Sequence, residues 1–221
     1  MKLILSWSGG KDSALSLYTL RQNNEHEISA LLTTVTHEYN RISMHGVRRT
    51  LLHQQAGAVG LPVLEVFINP GASNAEYEQN MGAVLAAYQA QGIEGVAFGD
   101  IFLEDLRTYR ENNLARLDLQ ALFPVWKRDT AELIQTFLNL GFKAVVTCVD
   151  TQVLDSSFAG RIIDETFLLD LPEGIDPCGE NGEFHTFVYD GPIFSHPVAF
   201  TPGEKVLRDD RFYYCDLVPE T

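Results

Sequence analysis

Six residues, Ser8-Gly9-Gly10-Lys11-Asp12-Ser13, lie between the apolar run Leu3-Ile4-Leu5 and a stretch of helical periodicity, so they fall where a strand turns into a helix. That is a place to hold phosphate. Two adjacent glycines leave no side chain between the turn and a ligand, and the first N–H groups of a helix, at its positive dipole end, face an incoming anion. Ser8 and Ser13 add hydroxyls, Lys11 a cation and Asp12 a carboxylate. Ser-Gly-Gly is also ordinary turn chemistry, but the strand before it and the helix after it favour the phosphate reading. Neither the Walker A spacing nor the dinucleotide fingerprint G-x-G-x-x-G follows this strand.

Two further clusters could carry chemistry. Asp176-Pro-Cys-Gly-Glu-Asn-Gly-Glu-Phe-His-Thr186 packs two glycines, carboxylates, a histidine and a thiol into eleven residues, a loop that presents polar groups. Glu180 and Glu183 are candidate general bases or ligands for ammonium or a metal. His185 is a candidate proton shuttle and Cys178 a candidate nucleophile. The competing reading is an acidic turn before a strand, with a half-buried histidine and a small buried thiol. The other cluster follows Phe98-Gly99-Asp100-Ile101, where Glu104, Arg107, Arg110 and Glu111 recur at helical spacing. Asp100 would hold Mg²⁺ or orient a substrate at a strand end, and an arginine would stabilise charge developing on phosphate. Glu104, Arg107, Arg110 and Glu111 read equally well as ion pairs on a solvated helix.

The 221 residues are 45% hydrophobic, enough for a proper core in one large or two small domains. The net charge is −14, and residues 127–221 carry 17 Asp and Glu against 7 Lys and Arg. No basic stripe of the kind that binds nucleic acid is visible, so an RNA partner is disfavoured. Cys148, Cys178 and Cys215 form no C-x-x-C pair, which argues against zinc or iron–sulfur sites and fits a reducing compartment without disulfides. No signal-peptide pattern or membrane-length apolar run is present, and a cytoplasmic protein without membrane contact is expected; a homo-oligomer is left open.

Apolar β-rich runs alternate with helix-period runs. Strands are expected at 2–7, 28–36, 63–68 and 95–98, with helices at 13–23, 47–59, 74–91 and from about 101. This alternation predicts a doubly wound parallel α/β sheet with its ligand beyond the C-terminal strand ends. Residues 122–126 read as an extended link and 129–140 as a helix. Beyond these come a strand at 143–149, a mostly helical stretch at 152–163 and short strands near 185–189 and 211–218. A nucleotide-binding domain at 1–126 and a smaller α+β domain at 127–221 are expected, with ATP chemistry at their interface.

Ser8–Ser13 resembles the SGGxDS signature of the PP-loop ATP pyrophosphatases, which split ATP to AMP and pyrophosphate. Together with Met44-His45, Phe98-Gly99-Asp100-Ile101, Phe123-Pro124-Val125-Trp126 and Cys178-Gly179-Glu180-Asn181-Gly182-Glu183-Phe184-His185-Thr186, it resembles the diphthine–ammonia ligase family nearly end to end. The resemblance implies a HUP-type nucleotide-binding domain, a C-terminal domain that takes the substrate, and ATP with Mg²⁺. It also implies a reaction in which the carboxylate of diphthine, a modified histidine of a translation elongation factor, is adenylated and captured by free ammonia. Ser8 to Ser13 would then hold the phosphates, and Asp12, Asp100, Glu180, Glu183 and His185 would serve catalysis. His45, Glu104, Arg107, Arg110, Cys178, Gly179, Asn181, Gly182 and Thr186 would bind substrate. The alternatives are an RNA-modifying PP-loop enzyme of thiolation or lysidine type, with Cys178 carrying sulfur, and a non-catalytic nucleotide-binding regulator.

Overall fold

A computed structural model describes residues 1–220. The first sheet is built on β1 (Lys2–Ser6), whose Leu3, Ile4 and Leu5 are wholly buried, as a central parallel strand requires. On one side it pairs in parallel with β2 (Glu27–Thr36), which in turn pairs with β4 (Val63–Ile68) and, antiparallel, with the two-residue β3 (Arg41–Ile42). On the other side it pairs with β5 (Gly95–Ala97), and β5 with β6 (Gln120–Leu122).

Alternation along β1 sends its side chains to two cores. Leu3 and Leu5 join a large cluster with Leu17 of helix α1 (Lys11–Asn23) and with Leu51 and Leu52 of α2 (Arg49–Val59). Ile4 joins a smaller cluster with Leu85 of α3 (Asn74–Gln89) and Leu114 of α4 (Glu104–Ala115). Helices therefore cover both faces, as the periodicity predicts. The strand order reverses between β1 and β5, so their C-terminal ends form the crevice of a doubly wound sheet.

The second sheet is antiparallel, in the order β8 (Phe184–Asp190), β7 (Lys143–Asp150), β10 (Phe212–Pro219), β9 (Phe200–Arg208). It does not stand apart. Val145, Phe187 and Leu217, together with Phe137 of α5 (Thr130–Asn139), belong to the same buried cluster as Leu3 and Leu17. Gly9 O accepts the Val188 amide at 2.9 Å, stitching the loop after β1 to β8.

Three expectations change. The 152–163 stretch is not a helix: one 3-10 turn at Ser156–Phe158 is followed by α6 (Glu165–Asp170). Asp155 and Asp164 each turn a carboxylate onto a nearby backbone amide, chemistry that starts turns and caps and competes with a continuous helix. Strand β6 occupies part of the expected link, too short to show a period. Strand β9 was masked by Pro202 and Gly203, which an edge strand tolerates. Among the described residues no helix is long and apolar enough to cross a membrane, and the three cysteines are free and buried.

Candidate functional site

The loop after β1 is fastened from below. Gln55, on α2, is fully buried; its Nε2 donates to Gly9 O at 3.0 Å and to Val188 O at 2.6 Å, while its Oε1 accepts the Trp7 indole N–H at 2.7 Å. Gly9 has φ +78, and a Cβ there would stand 2.8 Å from Gln55 Oε1, so both conformation and space call for glycine. At Gly10 a Cβ would come within 3.0 Å of the His45 ring and 3.2 Å of Thr186. The bare cradle therefore depends on the glycine pair. Ser8 Oγ accepts the Gly10 amide at 3.2 Å, and Thr186 Oγ1 accepts the Lys11 amide at 3.1 Å, joining the start of α1 to β8.

Lys11 is 2% exposed, with Nζ 2.9 Å from Asp12 Oδ2. Burial works against the charge of both partners; for Lys11 it is more than offset by Asp12 with the smaller pull of neighbouring groups including Glu180, so the Lys11 pKa stays raised, while burial also raises that of Asp12 against the pull of Lys11. Asp12 Oδ1 is buried without a partner. An unpaired buried acceptor is costly, and Asp12 lines the cleft.

The 176–186 loop is organised by its own side chains. Asp176 Oδ1 accepts the amides of Cys178 (2.8 Å) and Glu180 (3.3 Å). Glu183 accepts the Asp176 and Asn181 amides and the Asn181 side chain at 3.0–3.1 Å, so Glu183 and Asn181 brace the loop. Gly179 and Gly182 take positive φ to let it turn. The brace delivers Glu180 into the crevice, where its Oε1 accepts the Ile101 amide beyond β5 at 2.7 Å. Burial pushes the Glu180 carboxyl up to about 7, against the pull of that amide.

His45 and His185 lie with ring centroids 4.7 Å apart. His45 Nδ1 is 3.0 Å from Thr186 O, and a carbonyl only accepts, so Nδ1 carries the proton and Nε2 keeps its lone pair. Burial lowers His45 to about 4 and His185 to about 3, and nearby Lys11 adds to both effects. Both rings are neutral at physiological pH.

These groups line one cleft of about 390 Å³ that includes Ser8, Lys11, Asp12, Ser13, Thr186 and both histidines. Gly99 closes its floor: a Cβ there would lie 2.9 Å from the Asp12 backbone, so β5 ends hard against α1. Asp100 also lines the cleft, already neutralised by Arg110, with Nε 2.6 Å from Oδ2 and Nη2 donating to Oδ1 at 3.1 Å. Gly179 and Gly182 lie on the wall with Glu180.

Other residues singled out by sequence fall elsewhere. Glu104 pairs with Lys127 at 2.9 Å on the surface, and Arg107 pairs with Glu111 at 2.7 Å while stacking on Phe123 and Trp126. Only Arg107–Glu111 is an i,i+4 pair along the helix; Lys127, the partner of Glu104, lies beyond its end. Cys178 is 1% exposed and its thiol points to Thr130 O; burial pushes its pKa up, which disfavours the thiolate. Sequence reasoning passed over Gln55, although a polar residue at a core-facing helix position, three or four residues after Leu51 and Leu52, is a readable signal. It also passed over Thr33, Tyr77 and Met81, which line the cleft from other elements.

A parallel α/β sheet whose switch point holds a serine-diglycine loop at a helix N-terminus, facing a second small sheet, places the chain among the PP-loop nucleotide-binding proteins. Within that class, family models described as diphthamide synthase N-terminal domain and diphthamide synthase C-terminal domain match residues 1–120 and 129–217. The chain belongs to the diphthamide synthase family. The diphthine–ammonia ligase of Danio rerio is 31% identical over an alignment covering 95% of this chain and 90% of that protein. Proteins of the same name from Bos taurus and Saccharomyces cerevisiae are 32% and 28% identical, over 54% and 89% of this chain. The alignments span 47% and 34% of those longer relatives. A solved chain described as a predicted subunit of tRNA methyltransferase from Methanocaldococcus jannaschii aligns with a TM-score of 0.44 at 17% identity, over 65% of this chain and 77% of that one.

Proposed function

We propose that this chain is an ATP-dependent ligase that adenylates a diphthine-type carboxylate, releases pyrophosphate and captures the activated acyl group with ammonia to form the amide. The observation that carries the reading is the meeting of two unlike groups in one cleft. At one end stands the bare glycine cradle with its buried Lys11; on the facing wall stands Glu180, a carboxylate held near neutrality.

ATP supplies the adenylyl group that activates the carboxylate and the pyrophosphate that leaves. Ser8, Ser13, Lys11 and the N-terminal turn of α1 hold the phosphate chain, with the Lys11 charge fixed by Asp12 so that it needs no reorganisation as negative charge builds. The described residues contain no cluster of three or more metal-ligating side chains. A Mg²⁺ ion would therefore be held chiefly by phosphate oxygens, as this ion commonly is, with Asp12 Oδ1 the carboxylate oxygen free to meet it. Arg110, tied to Asp100, presents a guanidinium to the cleft.

Glu180 takes the proton from ammonium, because only neutral ammonia is nucleophilic, and its position near neutrality keeps it a usable base. Glu180 passes that proton to solvent, which its position near 7 allows; the ammonia nitrogen then forms the C–N bond as the C–O bond to AMP breaks, and the regenerated carboxylate takes the surplus proton from the new amide nitrogen. The His45 Nε2 lone pair accepts N–H or O–H donors on the substrates. Glu183 and Asn181 act through the loop they brace.

The test is incubation with ATP, ammonium and an elongation factor bearing diphthine. AMP and pyrophosphate should appear in step with conversion of acid to amide by mass spectrometry. Release of ADP and phosphate, or no amide despite ATP binding, would end this reading.

A further inference from the structure

A second large cavity, about 430 Å³, lies on the other side of the 41–46 turn, and Ile42 and Met44 line both it and the nucleotide cleft. One wall comes from β9, whose outer edge pairs with no other strand among the described residues. The rim carries three large apolar side chains held in solvent: Tyr39, Met44 and Leu207 are 48%, 57% and 48% exposed. Clustered exposure of this kind marks an interaction surface.

The ridge between the two cavities is fastened. Asp216 receives Arg41 Nη1 and Arg48 Nη2, each at 2.6 Å, and Arg41 also donates to Gly46 O at 2.7 Å. Gly46, at φ +68, rests on the Tyr214 ring, where a Cβ would stand 2.6 Å from Cδ1. Met44 itself is left-handed at φ +63, a conformation unfavourable for a bulky side chain that persists only where the surroundings impose it. The strained turn sets Met44 on the crest and His45 into the nucleotide cleft.

The groove's charges choose its occupant. Asp216 is matched by Arg41 and Arg48, and Arg208 lies over the Tyr39 ring at 5.4 Å. Glu204, Asp209 and Arg208 enter no ion pair among the described residues, so the charged lining of Arg41, Arg208, Glu204, Asp209 and Asp216 keeps a net negative charge. The groove lies over the face that β9 and β10 share, next to the unpaired edge of β9, and its acidic excess complements a basic, extended polypeptide.

We propose that this groove docks the protein that carries the acceptor carboxylate: a basic segment lies along the open edge of β9, and its acceptor side chain passes over Met44 into the nucleotide cleft. This rests on the reaction proposed above.

The test compares wild type with the double variant E204K/D209K and with L207S, all changes at surface positions of the groove, using the diphthine-bearing elongation factor. Acceptor KM should rise at least about tenfold in each, with the ATP dissociation constant and melting temperature unchanged. Wild-type amidation with unchanged acceptor KM in both variants would overturn the groove while leaving the reaction intact. Failure of wild type to amidate at all would remove the reaction, and this occupant with it. Parallel loss of ATP binding would show a disturbed cleft and overturn the docking role. A wild-type dimer that L207S dissociates would assign the groove to a second copy and overturn it too.

Discussion

Gln55 holds Gly9 from beneath: one amide nitrogen donates to Gly9 O and Val188 O while the amide oxygen takes the Trp7 indole. A single side chain on α2 thus locks the Ser8–Ser13 loop to both sheets. Gln55→Ala should cost about 2–4 kcal/mol, because it orphans a buried indole N–H and weakens two carbonyls, and ATP affinity should fall with stability. Denaturant unfolding and ATP titration measure both; an unchanged midpoint would remove the clamp.

At Gly9 the penalty has two parts. Gly9→Ala meets a positive φ and a contact at 2.8 Å with Gln55, so a loss of about 1–3 kcal/mol and severe loss of ATP binding are expected. Gly57 has open space around it, and Gly57→Ala in the same assay should be neutral or mildly stabilising because the residue is helical.

Glu180 and Glu183 should part company. At a fixed concentration of free ammonia, the rate of amide formation should show a step centred near 7 in wild type, and this step should vanish in Glu180→Gln, with ATP affinity within about threefold. Glu183→Gln cannot accept the same set of donors, so the loop should loosen at a cost of about 1–3 kcal/mol, lowering ATP binding and amidation together. A step near 7 that survives Glu180→Gln at fixed free ammonia would take the base role from it.

The histidine pair should make the protein acid-sensitive. His45 and His185 sit well below the ordinary histidine value near 6.5, so between about 6.5 and 4 the unfolded chain binds more protons than the native one. Stability should fall as pH drops through that window. Glu180, raised above its ordinary carboxylate value, works the other way: the native state holds its proton up to about 7, so its share of stability is lost as pH rises from about 4.5 to 7. The double variant H45N/H185N should flatten or reverse the acid slope in urea unfolding; a slope as steep as wild type would contradict it.

Asp216 gives a separate window. Burial opposes its charge, but the Arg48 and Arg41 hydrogen bonds hold its carboxyl down to about 2. Its stabilising share is complete above about 4 and is lost as pH falls toward 2. Asp216→Asn should remove that component and free the 41–46 turn, seen as faster amide exchange at Gly46; unchanged exchange would show that the two arginines do not pin the turn.

Much of this molecule was legible in the chain. The β–α alternation predicted the doubly wound sheet, because the periods of strand and helix are imposed by backbone geometry and appear wherever a face is buried. The glycine pair of the Ser8–Ser13 loop was legible too, as turn chemistry between a strand and a helix, and Gly9 takes φ +78 there. Short or irregular pieces did not: β6 spans three residues and β9 carries Pro202, so neither shows a period.

The sequence by itself determined which residues could do chemistry and on which kind of element they stand. Only the tertiary structure decided their roles. Glu180 and Glu183 are near twins in the chain, yet one turns into the cleft and the other ties its own loop; Arg110 faces the same cleft while Arg107, three residues earlier, stacks on Trp126. The reason is physical: a charge's role depends on its partners and its burial, and those are set by contacts such as Lys11 with Thr186 between residues 175 positions apart.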